Sequence, residues 1–191
     1  MALEDVPTWR QLLEDALSAH AHLPYSRYVQ FATVRPDSRP ANRTVVFRFF
    51  LSRNRLLFTA DTRSDKIAQL AANPWAEVCW YFVESRQQFR LSGKAQVVTE
   101  TDDEELLAAR ERTWRERSEE SRQSFTWPAP GLPRSEDEAF SYSAPAQPPS
   151  NFGLLILTPE RVEYLDLRPH PHERRAYCLR NGEWGVEALN P

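Results

Sequence analysis

Glycine is scarce in this 191-residue chain, with five in all. None of them builds a G-x-G-x-x-G or G-x-x-x-x-G-K pattern after a strand-like run, which excludes a dinucleotide-binding turn and a P-loop. A G-x-S-x-G elbow and an H-E-x-x-H metal motif are missing as well. Any phosphate-bearing ligand therefore has to be held by side chains and turn amides. Cysteine is scarcer still. Cys79 and Cys178 sit inside the apolar, strand-like runs E-V-C-W-Y-F and A-Y-C-L-R, with no second cysteine or histidine at ligand spacing. Neither a zinc cage nor a structural disulfide is expected. The pairs His20/His22 and His170/His172 have no acid or cysteine at a convincing spacing, and no metal is expected there.

Long hydrophobic runs are also lacking. No stretch approaches the roughly 18 apolar residues of a membrane-spanning helix. The first 17 residues carry Glu4, Asp5, Glu14 and Asp15, unlike the basic and then apolar segments of a secretory leader. The expected compartment is the cytoplasm. No charge of one sign dominates: 24 basic against 27 acidic residues leave a formal charge of -3. No overall field draws the protein to nucleic acid or to anionic lipid, so any phosphate site must be local.

What is present is ordinary globular material, 41% hydrophobic and 27% charged, enough for one core and one domain over residues 1–191. Thr8 and Gln11 form a possible capping box ahead of Trp9, Leu12, Leu13, Ala16 and Leu17, whose spacing predicts a helix over 9–20. Short runs rich in Val, Phe, Tyr and Thr then predict strands near 27–35, 41–51, 55–60, 76–83 and 86–98. A short helix interrupts them, capped by Ser64 and ended by Asn73-Pro74. Thr101 and Glu104 open a charged helix to about Arg117, and the Pro- and Ser-rich stretch 118–150 reads as a long loop. Strands return at 152–158, 161–167 and 174–180, and Asn181-Gly182 marks a hairpin into Glu183–Leu189. The expected fold is mainly antiparallel β with a few helices.

Four segments carry candidate chemistry. In R43-T-V-V-F-R48 two arginines occupy an apolar strand, with Arg43, Val45 and Phe47 on one face and Thr44, Val46 and Arg48 on the other. They either pair with carboxylates at the strand ends or hold an anion. F58-T-A-D-T-R-S64-D-K66 runs from a strand into a helix start, placing Thr59, Arg63, Ser64 and Lys66 near first-turn amides. That is plain helix capping or a phosphate cradle. In S85-R-Q-Q-F-R-L-S-G-K94, Gln88 alternates with Arg86 and Arg90; its carboxamide suits the polar edge of a flavin or pterin ring, or simply water. H170-P-H172-E-R174-R-A-Y177 reads by itself as a surface loop entering a strand.

In this order the segments resemble the pyridoxamine 5′-phosphate oxidase-like flavoproteins, with their R-x-V-x-x-K/R, then Y/F-T-x-x-x-S-x-K-x-x-Q-L-x-x-N-P, then R-Q-x-x-x-x-G-x-A. The matching stretches are R43-T-V-V-F-R48, F58-T59 with S64-D-K66-I-A-Q69-L-A-A-N73-P74, and Q87-Q88-F-R-L-S-G93-K94-A95. H172-E-R174 and W184-G-V-E-A-L-N-P191 resemble the closing hairpin, and W127-P-A-P-G131 resembles a divergent branch. The resemblance implies a split β-barrel of antiparallel Greek-key type, and FMN in a cleft between the subunits of a homodimer. It further implies that Arg43, Thr59, Ser64 and Lys66 surround the phosphate, with Phe58 also among the cofactor-binding residues. The backbone of Thr44, Val45, Val46 and Phe47 would line the ring, and Gln88 and Arg174 would approach it. Arg48, Arg117, Ser121 and His172 are the candidates for an anionic substrate.

Two departures fall beside these positions. His170 stands where the family has a second phosphate-binding arginine, and Asp65 where many members have a basic residue. The implied activity is an FMN-dependent oxidoreduction with no protein nucleophile, since the flavin supplies the hydride chemistry. A non-catalytic flavin-binding, storage or sensor protein would share every one of these cofactor residues. A single-stranded nucleic-acid barrel using the six tryptophans is disfavoured by the negative charge.

Overall fold

The computed structural model describes residues 6–191 apart from residue 102, so Glu4 and Asp5 lie outside the described residues. Helix α1 (Thr8–Ala19) precedes the hairpin β1 (Tyr28–Val34) and β2 (Pro40–Val46). Next come β3 (Leu56–Asp61), α2 (Asp65–Ala72), β4 (Trp75–Phe82) and β5 (Gln87–Val98). The chain continues with α3 (Glu104–Arg115) and α4 (Glu119–Gln123), and ends with β6 (Phe152–Asp166), β7 (Glu173–Arg180) and β8 (Glu183–Leu189). Among the described residues no helix is long and apolar enough to cross a membrane.

All pairings are antiparallel, in the order β2-β1-β4-β5-β6-β7-β8, with β3 on β6. Past Val46 the chain leaves β1 and turns toward β3. There it makes an isolated bridge, Phe50 to Leu56, and backbone bonds from Arg48 N to Leu57 O and from Leu57 N to Phe49 O. The first four strands thus lie in the Greek-key order 4-1-2-3. No ladder joins β2 to β3, and the sheet is not closed. The strand expected over 41–51 ends at Val46 for the same reason.

The two strands expected at 152–158 and 161–167 are one. Pro159, between the two expected ranges, lies opposite Gly93 where the β5/β6 register shifts, and a bulge absorbs its missing N–H. Because β6 is 15 residues long, it serves two partners along one edge. Phe152–Leu157 pairs with β3, and Arg161–Asp166 with β7. This fork splits the barrel.

The core follows the two-residue alternation of the strands. Phe31, Phe47, Phe58, Trp80, Phe82 and Phe89 are buried inside, with Phe47 and Trp80 centroids 5.1 Å apart, and α1 closes one end through Trp9 and Leu13. A satellite cluster of Trp114, Phe125 and Phe152 ties α3 and the following turn to β6. The segment 118–150 accordingly holds α4 and two 3-10 turns, not only loop. Two expected capping boxes are replaced: Pro7 precedes α1 without a side-chain cap, and the Asp103 carboxylate accepts from Leu106 N at the start of α3.

At the end of β6, Asp166 is 5% exposed and accepts from Arg168 Nη2 at 2.6 Å and from Tyr164 Oη at 3.1 Å. The Arg168 fork first, then the Arg168 backbone amide and Tyr164, hold the Asp166 carboxyl down to about 2 against the opposing effect of burial. A carboxylate depressed on folding contributes stability above its unfolded pKa near 4 and loses it as pH falls toward 2. Asp166→Asn should therefore cost about 2 kcal/mol at pH 7. Urea midpoints should show that gap from wild type shrinking as pH drops from about 4 to about 2. A gap of unchanged size at low pH would assign the loss to packing instead of charge.

Candidate cofactor-binding site

Arg43 lies on the inward-facing parity of β2 near the barrel end, where Phe31 is its partner on β1. Its Nη1 donates to Thr33 Oγ1 at 2.7 Å and to Phe31 O at 3.1 Å, and its Nη2 to Gln69 Oε1 at 2.8 Å. Thr33 Oγ1 donates to the same Gln69 oxygen at 2.6 Å, which locks the carboxamide in place. Neutral acceptors thus orient the guanidinium without neutralising it.

Lys66 stands in the first turn of α2 and donates to Ser64 Oγ at 2.7 Å, while Ser64 Oγ donates to Asp61 O at 2.6 Å. Ser64 holds the N-cap position, yet its hydroxyl is turned away from the first-turn amides. The Ile67 amide is taken by the Ser64 carbonyl at 3.0 Å, which leaves those of Asp65 and Lys66 for another acceptor.

Arg43, Ser64 and Lys66 line one open pocket of about 730 Å³, together with Arg35, Asp65, Gln69 and the Pro130-Gly131 turn. Burial, and then the charge of Arg35, pushes the Arg43 guanidinium below its ordinary value. Burial, and then Arg43, does the same to the Lys66 ammonium. Among the described residues neither cation has a carboxylate within ion-pair distance. Two desolvated, mutually repelling cations beside open helix amides fit a phosphate dianion.

A second group gathers around β3. Thr59 does not line the Arg43 pocket; its Oγ1 accepts from Arg117 Nη2. Arg117 Nη1 donates to Ser121 Oγ at 2.7 Å, and the guanidinium lies 5.0 Å from the Phe125 ring centroid and 5.2 Å from that of Phe152. Burial and the charge of Arg48 bring Arg117 down to about 10. Arg48 Nε and Arg117 Nε are both buried without a partner. The structure thus joins three expected substrate contacts with one expected phosphate contact. Phe58 is fully buried between Phe31 and Phe47, and Val45 and Phe47 also point into the core, so only their backbone can face a ligand. Thr44 and Val46 lie on the outer face of the terminal strand in the sheet order, whose second edge carries no ladder.

Gln88 and Arg174 form a third group, in one row across β5, β6 and β7 through Leu165. Two strand spacings, roughly 10 Å, separate them. Arg174 Nη2 donates to Glu163 Oε2 at 2.6 Å, and Arg161 and Arg90 also reach Glu163. His172 is exposed, its Nδ1 3.0 Å from Pro169 O. Within one chain this group stands apart from the Arg43 pocket, since β1 and β4 intervene between β2 and β5.

Sequence reasoning named Arg63 and quoted Gln69 but gave neither its part in shaping the first pocket. Gln69 sits in a stretch the resemblance covers, but its bond to Arg43 spans 26 residues. Arg63, paired with Asp61 at 2.6 Å, donates to Trp127 O at 2.9 Å and so fastens the W-P-A-P-G segment beside α2. The composition of that segment marked it as unusual; only the packing makes it a pocket wall.

An antiparallel Greek-key sheet with two uncompensated cations at a helix start defines a β protein built to hold a phosphate ligand. The comparisons name the family. Residues 6–99 match the description "Pyridoxamine 5'-phosphate oxidase, FMN-binding domain". The Arabidopsis thaliana pyridoxine/pyridoxamine 5'-phosphate oxidase 2 is 39% identical over 97% of this chain and 98% of its own length. A crystal structure of a pyridoxamine 5'-phosphate oxidase-related, FMN binding protein from Nostoc punctiforme superposes with a TM-score of 0.91 at 44% identity, covering 98% of this chain and 100% of that one. PhzG from Burkholderia lata, at 22% identity, TM-score 0.82 and coverage of 98% and 95%, shares the fold. The chain belongs to the pyridoxamine 5'-phosphate oxidase family, and the family match points to FMN as its cofactor.

Proposed function

We propose that this protein is an FMN-dependent oxidoreductase, working as a cytoplasmic homodimer of single-domain chains on a small anionic substrate. The observation that carries the reading is the Arg43 and Lys66 pair, two cations that line one pocket with no carboxylate within ion-pair distance of either among the described residues. In it the FMN phosphate rests on Arg43, Ser64, Lys66 and the first-turn amides of α2, while Thr59 stands with Arg117 outside that pocket. The ring lies along the open backbone edge from Thr44 to Phe47, with Phe58 behind it in the core. Bound FMN would supply the hydride acceptance, so no side chain is assigned as acid, base or nucleophile.

The separation of Gln88 and Arg174 from the Arg43 pocket supports a dimer, because a second copy can bring that row to the ring. Tyr28 is 52% exposed and Trp75 and Tyr81 each 46%, all on the outer sheet face, which supports a surface covered by another chain. Arg48, Arg117, Ser121 and His172 are the substrate side of the proposal. Free Cys79 and Cys178 agree with a reducing compartment.

The experiment is anaerobic reduction of the FMN-loaded protein by a panel of amines, alcohols and reduced nicotinamides, followed at about 450 nm, the flavin band. Sedimentation would run alongside. A dimer that bleaches with one class of donor and recovers in air is the expected result. Tight flavin binding with no bleaching by any donor would make this a flavin-binding protein instead.

A further inference from the structure

The segment from Trp127 to Pro133 stands between two cavities. Its Pro130-Gly131 turn lines the Arg43 pocket on one side and, on the other, a pocket of about 440 Å³ walled by Phe125, Trp127, Leu132 and Phe140. A wall with space on both faces has little packing to hold it. Backbone bonds do not hold it either: among the described residues, no backbone–backbone bond is made between Pro128 and Ser135. Pro128, Pro130 and Pro133 each fix φ, so the segment moves as one stiff piece and not by fraying.

What fastens it is Arg63. Its Nη1 donates to Trp127 O at 2.9 Å, and its Nη2 reaches Phe125 O at 3.5 Å. Asp61 aims the guanidinium, its carboxylate accepting from Arg63 Nε at 3.0 Å and from Nη2 at 2.6 Å. Asn151 Nδ2 braces the same corner, donating to Phe125 O at 2.9 Å and to Asp61 Oδ2 at 3.2 Å. Phe125 is already fixed by its cluster with Trp114 and Phe152, so the first bond to a movable residue is the one to Trp127. At its turn the segment comes close to α2, where a Cβ on Gly131 would stand 3.9 Å from Asp65 Oδ1. Arg63 itself lines neither pocket, and its donors are taken by Asp61 and the two carbonyls. It is placed to hold the wall, not the phosphate.

We propose that Arg63 is a positioning residue, the latch of this wall, and that FMN enters and leaves the Arg43 pocket when the bond from Arg63 to the Trp127 carbonyl opens. The inference rests on the reading that the FMN phosphate lies in that pocket. The latch bond is present whether or not the ligand is, so it slows entry and exit alike and leaves the equilibrium nearly untouched.

The test is stopped-flow exchange of FMN on the full chain, read by flavin fluorescence as uptake by the flavin-free protein and release from the loaded one. Arg63→Ala should speed both at least about tenfold, the low end of what one hydrogen bond to a charged group contributes, with a dissociation constant close to wild type. Asp61→Asn keeps Arg63 but loses the carboxylate that aims it, and should move both rates the same way. Trypsin cleavage after Arg134, just past the wall, should quicken in both variants. Faster release without faster uptake would make Arg63 a phosphate contact and overturn the latch, and so would unchanged rates. The Arg43→Ala, Lys66→Ala double variant separates the two claims. Weakened FMN there with unchanged exchange in Arg63→Ala removes the latch alone, whereas wild-type affinity there removes the phosphate reading and the latch with it.

Discussion

Replacing Arg43 and Lys66 together by alanine should lower FMN affinity by about two to four powers of ten. A hydrogen bond to a charged group contributes about 1.5 to 3 kcal/mol, and two such losses correspond to roughly that factor. The loss should be large because the pocket has few substitutes. Arg35 is the remaining cation lining it, and Asp65 on the same wall repels a phosphate. Lys66→Ala alone separates binding from folding. Lys66 makes one side-chain bond, to Ser64, whereas Arg43 also organises Thr33 and Gln69 inside the barrel end. The single variant should keep its thermal midpoint and still bind FMN more than tenfold more weakly. Flavin fluorescence titration reads both proteins. Affinity within a few-fold of wild type in the double variant would place the phosphate elsewhere.

Gly93→Ala should unfold the protein at a markedly lower temperature. A Cβ there would stand 2.0 Å from Thr158 O and 2.8 Å from Pro159 Cα, both backbone atoms at the bulge that lets β6 continue through its proline. Backbone on both sides of a long ladder cannot step aside as a side-chain tip can. The expected cost is about 3 kcal/mol or more, a fall of roughly 10 °C for a chain of this size. Gly185→Ala is the control, since its Cβ would find nothing nearer than Cys178 O at 4.0 Å. Equal midpoints for the two variants would show that the strand is free to shift and that the close approach is not what demands glycine. In the resemblance this glycine is one letter of a motif; in the structure it is where two backbones touch.

Much of the fold is legible residue by residue. Burial in β1 alternates along Y-V-Q-F-A-T-V, as a strand with one face on a core must. The opposite facing of Arg43 and Arg48 follows from the same two-residue period. Ser64 and Lys66 could be placed at a helix start because capping chemistry acts over three or four residues. Other features are not local. The strands expected at 152–158 and 161–167 run on as one because Pro159 lies opposite Gly93, which is 66 positions away in the chain. Thr59 could be assigned to β3, but not to Arg117, because that bond spans 58 residues through the packing of Trp114, Phe125 and Phe152.

By itself the sequence determined the strand-and-helix order outside β6 and the segment 118–150, the inward and outward faces, and the cations that need an anion. Each of these depends on neighbours a few bonds away or on charge and solubility alone. Only the tertiary structure decided which cations share a pocket. Arg43 and Lys66 meet with no carboxylate at ion-pair distance among the described residues, Arg117 is spent on Thr59 and Ser121, and Arg27 is set beside Arg48 at the mouth of a separate pocket. The physical reason is that a guanidinium takes whichever acceptor the sheet order and helix packing bring within about 3 Å. That choice is made across the barrel, where position along the chain carries no information about distance.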